Sequence, residues 1–147
     1  MYHKDLSNYI YVDEEVKNII NIGWLDKNHD FNKGATETIV LEKLRSIIIG
    51  NKNIDAHCNR VRSIEPCRLC ANKNISLESE SKKIHLGMTE IFIPAKNGKY
   101  YFSAPSLIIH YIEEHKYQPK KTFLQAVMSF NLDQTYIAQD IFDKIVN

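Results

Sequence analysis

Two cysteines, Cys67 and Cys70, stand with two residues between them in the segment IEPCRLCANK, and Pro66 precedes the first. This spacing places both sulfur atoms on one side of a tight turn, where they can bind the same metal ion. Redox chemistry of the thioredoxin kind is a second interpretation, but it needs a strand–helix–strand context that the flanking sequence lacks. The spacing therefore predicts a knuckle that supplies half of a zinc site.

The other half of the site is expected in the segment HYIEEH, which contains His110 and His115. Their separation lies within the range seen for paired zinc histidines. On a regular helix the two side chains would point about 140° apart, so they converge only if the helix unwinds near its end, which Pro119 predicts. Four protein ligands leave no open position for water or substrate, so the Zn²⁺ is predicted to be structural.

Other residues could replace one of these predicted ligands. His57 and Cys58 precede the knuckle, and His85 begins the next predicted strand. Adjacent residues such as His57 and Cys58 rarely bind one metal ion comfortably, which favours the histidine pair. The plain alternative is that both cysteines of the knuckle are small apolar residues in a turn and that the histidines are ordinary surface residues. The sequence does not distinguish zinc from iron.

The composition is that of an ordinary globular protein. The 147 residues are 44% hydrophobic and 25% charged, with a formal net charge of +1. A chain of this length can bury a core without help from a metal, so the metal is expected to fix one region. We therefore predict a single zinc-binding α+β domain over residues 1–147. The small net charge gives no long-range attraction to nucleic acid or to an anionic membrane.

The sequence lacks several motifs whose presence would indicate a membrane protein, a secreted protein or a bound organic cofactor. No segment approaches the roughly 18 apolar residues of a membrane helix, and the N-terminal segment lacks the apolar stretch of a signal peptide. Three cysteines make a poor disulfide framework. We therefore expect a cytoplasmic protein with no membrane partner. Because no glycine-rich phosphate loop, G-x-S-x-G elbow or H-E-x-x-H motif occurs, no organic cofactor is expected.

A hairpin and a helix are predicted between the knuckle and the C-terminus. The segment TEIFIPAKNGKYYFSA predicts a β-hairpin at 90–104, in which Asn97 and Gly98 favour a type I′ turn. Pro94 is expected near a strand end, where no ladder needs its N–H. Pro105 fits the first position of the following helix, which carries both histidines.

The remaining elements are predicted from periodicity and from start and stop residues. A helix is expected in FNKGATETIVLEKLRSIIIG, with Thr36 as its N-cap and Gly50 at its end. Two more helices are expected in KKTFLQAVMSF and LDQTYIAQDIFDKIV. The first thirty residues are predicted to be irregular apart from a strand in IINIGWLD, and residues 71–83 are predicted to be a mobile loop. The fold class is therefore α+β, with a small antiparallel sheet, helices mainly C-terminal and a zinc knuckle.

The order of a cysteine knuckle, a hairpin and a helix with two histidines resembles treble-clef and related zinc modules, although Cys70 and His110 are farther apart than in a compact finger. Five motifs are also similar to those of an uncharacterised bacterial family that is common in actinobacteria. In chain order they are DLSNYIY (5–11), NIGWLD (21–26), CRLC (67–70), LGMTEIFIP (86–94) and YYFSAPSLIIHYIEEHKYQP (100–119). The similarity covers most of the chain and stops near residue 128.

The resemblance implies a zinc site and one domain, and it implies no reaction, since the family has no established activity. Its members carry a histidine two residues before the first cysteine, where this chain has Glu65. This difference argues against a local site built from the knuckle alone. It leaves His110 and His115 as the better partners of the cysteines.

Three functional hypotheses follow from these observations. The first is a non-catalytic, zinc-stabilised protein that binds another protein, in a specific form an immunity-type or antitoxin-type inhibitor. The second is a nucleic-acid-binding zinc module, whose binding would fall steeply with salt. The third is a metal-dependent hydrolase in which water replaces one protein ligand. The residues predicted to contact nucleic acid or a protein partner are Arg60, Arg62, Arg68, Lys120 and Lys121.

Overall fold

The computed structural model describes all 147 residues and contains nine β-strands and four α-helices. In chain order the elements are β1 (Asn8–Tyr11), β2 (Glu14–Asn21), α1 (Thr38–Ile49), β3 (Ile54–Asp55), β4 (His57–Cys58), β5 (Ser76–Glu78), β6 (Lys83–His85), β7 (Glu90–Pro94), β8 (Tyr101–Pro105), α2 (Ile108–His115), α3 (Lys121–Ser129), β9 (Tyr136–Ile137) and α4 (Ala138–Val146). Three of the helices follow the last strand of the main sheet. The predicted α+β class, with helices mainly toward the C-terminus, is therefore confirmed.

The main sheet has five strands in the order β1-β2-β8-β7-β4. Strands β7 and β8 form the predicted antiparallel hairpin, with Glu90 opposite Pro105 and Pro94 opposite Tyr101. Strand β2, however, pairs with β8 in parallel, so the expectation of a wholly antiparallel sheet needs correction. Parallel neighbours require a long crossover between them, and here the crossover contains α1 and the whole knuckle region.

The turn of the β7–β8 hairpin is not the predicted type I′ turn. Gly98 has a φ of 71°, whereas Asn97 is not among the residues with positive φ. The Gly98 N–H donates to the Ala95 oxygen at 2.9 Å, and the Ala95 N–H donates to the Tyr100 oxygen. Because this connection is longer than two residues, only Gly98 has to adopt the left-handed conformation.

The predicted starts of two helices are wrong. Helix α1 begins at Thr38 with Glu37 at its N-cap and no side-chain capping bond, and the hydroxyl of Thr36 is buried without a partner. Pro105 is the last residue of β8, and α2 begins only at Ile108. A proline is tolerated at a strand end as well as at a helix start. The residue type alone therefore does not show whether Pro105 ends a strand or begins a helix. The predicted end of α1 at Gly50 is confirmed.

Two segments contain more structure than predicted. The first thirty residues contain the antiparallel pair β1 and β2, with a register shift between Asn8 and Tyr9. The predicted mobile loop at 71–83 contains β5 and begins β6, which form a two-stranded sheet. Leu77, which is 5% exposed, attaches this sheet to the core. Ile75 and Ile84 are partly buried and pack against the same core, so a few apolar residues attach this polar segment to the fold.

A continuous core of 31 buried residues joins the sheet to the helices. Helix α2 packs against the core through Ile108, Tyr111 and Ile112, which are all buried. The predicted last helix is shorter than expected, because Tyr136 and Ile137 form β9, which pairs in parallel with β3. None of the helices is long and apolar enough to cross a membrane.

Candidate metal centre

The knuckle is a short loop that closes on itself through two backbone hydrogen bonds. The Cys67 N–H donates to the Asn72 oxygen at 3.0 Å, and the Ala71 N–H donates to the Cys67 oxygen at 2.9 Å. Ala71 adopts a left-handed conformation with a φ of 62°, which reverses the chain directly after Cys70. Both sulfur atoms therefore lie on the same side of the loop.

Two contacts attach the knuckle to the rest of the protein. The Glu65 N–H donates to the Gly87 oxygen at 2.8 Å, and the Arg68 N–H donates to the hydroxyl of Tyr111 at 3.3 Å. Gly87 has a φ of 102°, and a Cβ atom there would lie 2.4 Å from the Glu65 oxygen. The loop can approach so closely because Gly87 has no side chain.

Helix α2 carries both histidines and ends where the second one lies. His115 is its last residue, and Lys116 follows in a left-handed conformation with a φ of 58°. The two imidazole rings lie with their centroids 5.1 Å apart. The histidines therefore converge at the end of the helix, as the position of Pro119 predicted.

The four predicted ligand residues come together in the structure. The Cys67 Sγ lies 3.5 Å from the His115 Nε2, and the Cys70 Sγ lies 3.5 Å from the His110 Nε2. All four ligand atoms lie within 4.8 Å of one another. A tetrahedral ion with Zn–S bonds of about 2.3 Å and Zn–N bonds of about 2.0 Å separates sulfur from nitrogen by about 3.5 Å. The four side chains are thus positioned to hold a metal ion.

The environment differs between the two sulfur atoms. Cys67 is 1% exposed, and its Sγ accepts hydrogen bonds from the N–H groups of Leu69 and Cys70, each at 3.4 Å. Burial raises the pKa of the Cys67 thiol, while these two N–H donors act in the opposite direction because they stabilise the thiolate. The side chain of Cys70 is exposed. One ligand is thus enclosed and the other faces the solvent.

The histidines are half-buried and suited to metal binding. Burial lowers the pKa of His110, and the proximity of His115 lowers it further. A lowered pKa favours the neutral imidazole, which is the form that binds a metal ion.

The alternative ligands are not part of this cluster. Both ring nitrogens of His57 are engaged, since Nδ1 lies 2.6 Å from the Thr89 hydroxyl and Nε2 lies 2.7 Å from the Ile48 oxygen. Burial lowers the pKa of His57, which favours the neutral ring, and the ring joins β4 to α1 through the Ile48 oxygen. Cys58 is buried in β4, and His85 is exposed on β6.

The basic residues predicted to contact nucleic acid or a partner do not share one cavity. All five are exposed, and four of them line four different cavities. The guanidinium of Arg68 also donates to the Glu65 carboxylate at 2.8 Å. The contact of all five with nucleic acid or a partner therefore stays a prediction. They are Arg60, Arg62, Arg68, Lys120 and Lys121.

Sequence reasoning missed a buried polar group around Glu90. Its carboxylate accepts hydrogen bonds from the Tyr9 hydroxyl at 2.9 Å, from the Asn59 amide at 3.0 Å and from the Ser103 hydroxyl at 2.8 Å. Burial raises the pKa of Glu90, against the effect of these three donors. One feature of the sequence could have indicated this group, because Glu90 is the only charged residue in the otherwise apolar strand β7.

A second missed contact joins distant segments of the chain. The Asp5 carboxylate accepts hydrogen bonds from the Tyr117 hydroxyl at 2.6 Å and from the Gly23 N–H at 3.0 Å. Trp24 donates from its indole nitrogen to the Ser103 oxygen at 3.0 Å. These residues belong to three of the motifs that are similar to those of the bacterial family, at 5–11, 21–26 and 100–119. Outside the knuckle and the histidines, those motifs thus supply contacts that hold the fold together.

Comparison with known proteins identifies a family but no activity. The family model described as a domain of unknown function (DUF7919) matches residues 1–128. No curated protein and no solved structure matches the chain. The match ends within α3, so β9 and α4 lie outside it. Because the match covers most of the chain, the protein belongs to the DUF7919 family.

Proposed function

We propose that this protein is a zinc-stabilised protein without catalytic activity that binds another protein. The observation that supports its first part is the convergence of four sulfur and nitrogen ligand atoms within 4.8 Å. Two thiolates and two imidazoles in a tetrahedral arrangement are typical of zinc. The thiolates also balance the charge of a divalent ion, so the occupied site is neutral.

The proposed role of the ion is to join the knuckle to helix α2. Cys67 and Cys70 belong to the knuckle, while His110 and His115 belong to α2, so an ion bound to all four fixes the two segments against each other. The direct hydrogen bond between these segments runs from the Arg68 N–H to the Tyr111 hydroxyl. Four protein ligands complete a tetrahedral shell, which is the arrangement of structural rather than catalytic zinc.

Metal content tests this site directly. The untagged protein is expected to contain one zinc ion per chain by inductively coupled plasma mass spectrometry, which also separates zinc from iron. His110→Ala should bind zinc roughly tenfold more weakly or worse and melt at a lower temperature, because three ligands remain. His85→Ala is the matched control, since His85 is an exposed histidine outside the cluster, and it should keep the full zinc content.

Three results would contradict the proposed zinc site. Full zinc content in His110→Ala would mean that this histidine is not a ligand. Zinc retained in that variant together with an enzymatic activity lost from it would favour the metal-dependent hydrolase. An absence of metal from the wild-type protein, even after reconstitution with zinc, would leave the knuckle as a plain turn.

The second part of the proposal rests on the hairpin formed by β1 and β2. At its tip Ile10 is 49% exposed and Val12 is 78% exposed, and Tyr11 between them is 38% exposed. Strand β1 also lies at the edge of the main sheet. An edge strand with apolar neighbours is a common site for strand addition by a partner protein. In the narrower form of the proposal, the chain is an immunity-type inhibitor and the partner is a toxin.

Affinity capture with hairpin variants tests partner binding. A protein captured from the source cells by the wild type should be lost by the double variant Ile10→Thr and Val12→Asn. Threonine retains β propensity, and asparagine tolerates the positive φ of 49° at Val12. Ile39→Gln is the control, because Ile39 is 58% exposed on α1. Equal capture by the wild type and the double variant would show that the hairpin is not the binding surface. The proposal of an immunity-type inhibitor further requires that co-expression of this protein protects cells from the captured protein.

A further inference from the structure

The two cysteines of the knuckle differ in a way that favours stepwise oxidation. Cys70 is exposed and Cys67 is buried, yet their sulfur atoms lie within the same 4.8 Å cluster. An exposed thiolate is the one that an oxidant reaches first, and a nearby second cysteine can then resolve the product. We propose that Cys67 and Cys70 form a reversible oxidation site at which a peroxide produces a disulfide and releases the metal ion.

This inference rests on the proposed zinc site and assigns it a sensitivity to peroxides. The third cysteine does not compete, since Cys58 is 2% exposed within β4 and lies outside the cluster. Burial also raises the pKa of the Cys58 thiol, which keeps it protonated and unreactive. The reactive pair is therefore confined to the knuckle.

The reaction has two steps that balance. The Cys70 thiolate attacks one oxygen of hydrogen peroxide, so that an S–O bond forms, the O–O bond breaks and the leaving hydroxide takes up a proton to become water. The Cys67 thiolate then attacks the Cys70 sulfur, so that the S–S bond forms and the S–O bond breaks, releasing a second hydroxide that is also protonated to water. Two electrons pass from the sulfur atoms to the peroxide, and the zinc ion leaves without a change of charge.

The consequence of oxidation is local. A disulfide removes two of the four ligands, and His110 and His115 alone do not complete a zinc shell. The hydrogen bonds from Glu65 to Gly87 and from Arg68 to Tyr111 involve no ligand side chain, so they limit how far the knuckle can move. We therefore expect the segment to loosen against α2 while the core stays folded.

The only tryptophan of the chain lies where it can report this change. Trp24 lines a cavity of about 240 Å³ together with Pro66 and Arg68 of the knuckle and Tyr111 of α2. Its indole nitrogen is fixed to the Ser103 oxygen in β8. Since the indole is attached to the sheet and the knuckle supplies part of the same lining, movement of the knuckle should change the fluorescence of Trp24.

The test uses the zinc-loaded full chain with hydrogen peroxide and a chromogenic zinc chelator. One zinc ion per chain should be released, with a change in Trp24 fluorescence. Mass spectrometry of the intact protein should show a loss of two hydrogens, and peptide mapping should show the Cys67–Cys70 bridge. Dithiothreitol followed by zinc should reverse all of these changes.

Two variants and the mass spectrum of the wild type distinguish a failure of the oxidation inference from a failure of the proposed zinc site. Cys58→Ala should respond as the wild type does, whereas Cys70→Ser, which lacks the exposed thiol, should form no bridge when peroxide is added. Zinc that stays bound in the oxidised wild type, or oxygen adducts without a bridge, would overturn the inference and leave the proposed zinc site intact. A wild-type protein that binds no zinc would overturn the proposed site and this inference with it.

Discussion

At the scale of single residues, hydrogen bonds decide which histidine is free to bind a metal. His57 and His110 are the same residue type, and burial lowers the pKa of both. The ring of His57 uses both nitrogens within the protein, through Thr89 and Ile48. The Nε2 atom of His110 instead faces the sulfur of Cys70. Of these two histidines, His110 therefore presents a nitrogen to the candidate metal centre, and His57 does not.

Glu90 makes the stability of the protein depend on pH. Its pKa in the folded protein is raised by burial, so the folded state holds the proton at pH values where the unfolded chain has released it. The contribution of Glu90 to stability is therefore greatest below the ordinary pKa of a glutamate and declines as pH rises through the window between the two pKa values. Three hydrogen-bond donors limit this decline, because they stabilise the ionised form.

We expect Glu90→Gln to flatten this pH dependence. The amide oxygen can accept from Tyr9 and Asn59, and the amide nitrogen can donate to Ser103, so the packing is kept. The melting temperature of the variant should fall less than that of the wild type between about pH 4.5 and pH 7. Glu80→Gln, an exposed control, should follow the wild-type curve. A steeper decline in Glu90→Gln than in the wild type would contradict this account.

At the scale of elements, the position of the knuckle depends on a glycine in a different segment. Gly87 precedes β7 and contacts the backbone of Glu65, two residues before Cys67. Its φ of 102° is one that side chains rarely adopt. The sulfur ligands are thus positioned partly by the chain that leads into the hairpin.

The variant Gly87→Ala should therefore weaken both the fold and the metal site. The added Cβ would lie 2.4 Å from the Glu65 oxygen, so the knuckle has to move. We expect a loss of about 2 kcal/mol or more in the free energy of unfolding, measured in urea, and a lower zinc affinity by competition with a chelator.

Gly98→Ala provides the matched control for Gly87→Ala. Gly98 also has a positive φ of 71°, but no atom lies within 4 Å of its ideal Cβ position. Only the backbone strain of about 1 kcal/mol is expected, and zinc affinity should be unchanged. If both variants lowered zinc affinity equally, the close contact with Glu65 would not be the cause.

At the scale of the whole molecule, the core extends well beyond the metal centre. Of the four ligand residues, only Cys67 belongs to the cluster of 31 buried residues. Phe142 of α4 belongs to it as well, and its ring contacts the edges of Tyr9, Tyr11 and Phe92. Helix α4 thus covers the sheet from a segment that lies outside the family match.

Removal of zinc should consequently loosen one region and leave the protein folded. With free zinc at about 100 times the dissociation constant, binding contributes about 2.7 kcal/mol, so a chelator should lower the melting temperature by roughly 5 to 10 °C. Circular dichroism should retain its folded signal. Hydrogen exchange should increase in the knuckle and at the end of α2. Global unfolding after chelation would show that the core depends on the ion.

The sequence by itself determined which four residues form the candidate metal centre and which elements carry them. The Cys-x-x-Cys spacing fixes two sulfur atoms in one turn regardless of the rest of the fold, and the periodicity of α2 and the hairpin pattern of 90–104 reflect local backbone preferences. These features were predictable because their causes lie within a few residues. The end of α2 near Pro119, which lets His110 and His115 converge, was predictable for the same reason.

Only the tertiary structure decided how distant segments meet. Whether Pro105 ends a strand or begins a helix depends on its pairing with Glu90 across the hairpin, and the parallel pairing of β2 with β8 joins segments far apart in the chain. Leu77 fixes an otherwise polar segment because a core is present for it to enter. The polar group around Glu90 likewise draws Tyr9, Asn59 and Ser103 from separate strands and loops. Such long-range contacts leave no local periodicity in the sequence, so no pattern within one segment reveals them.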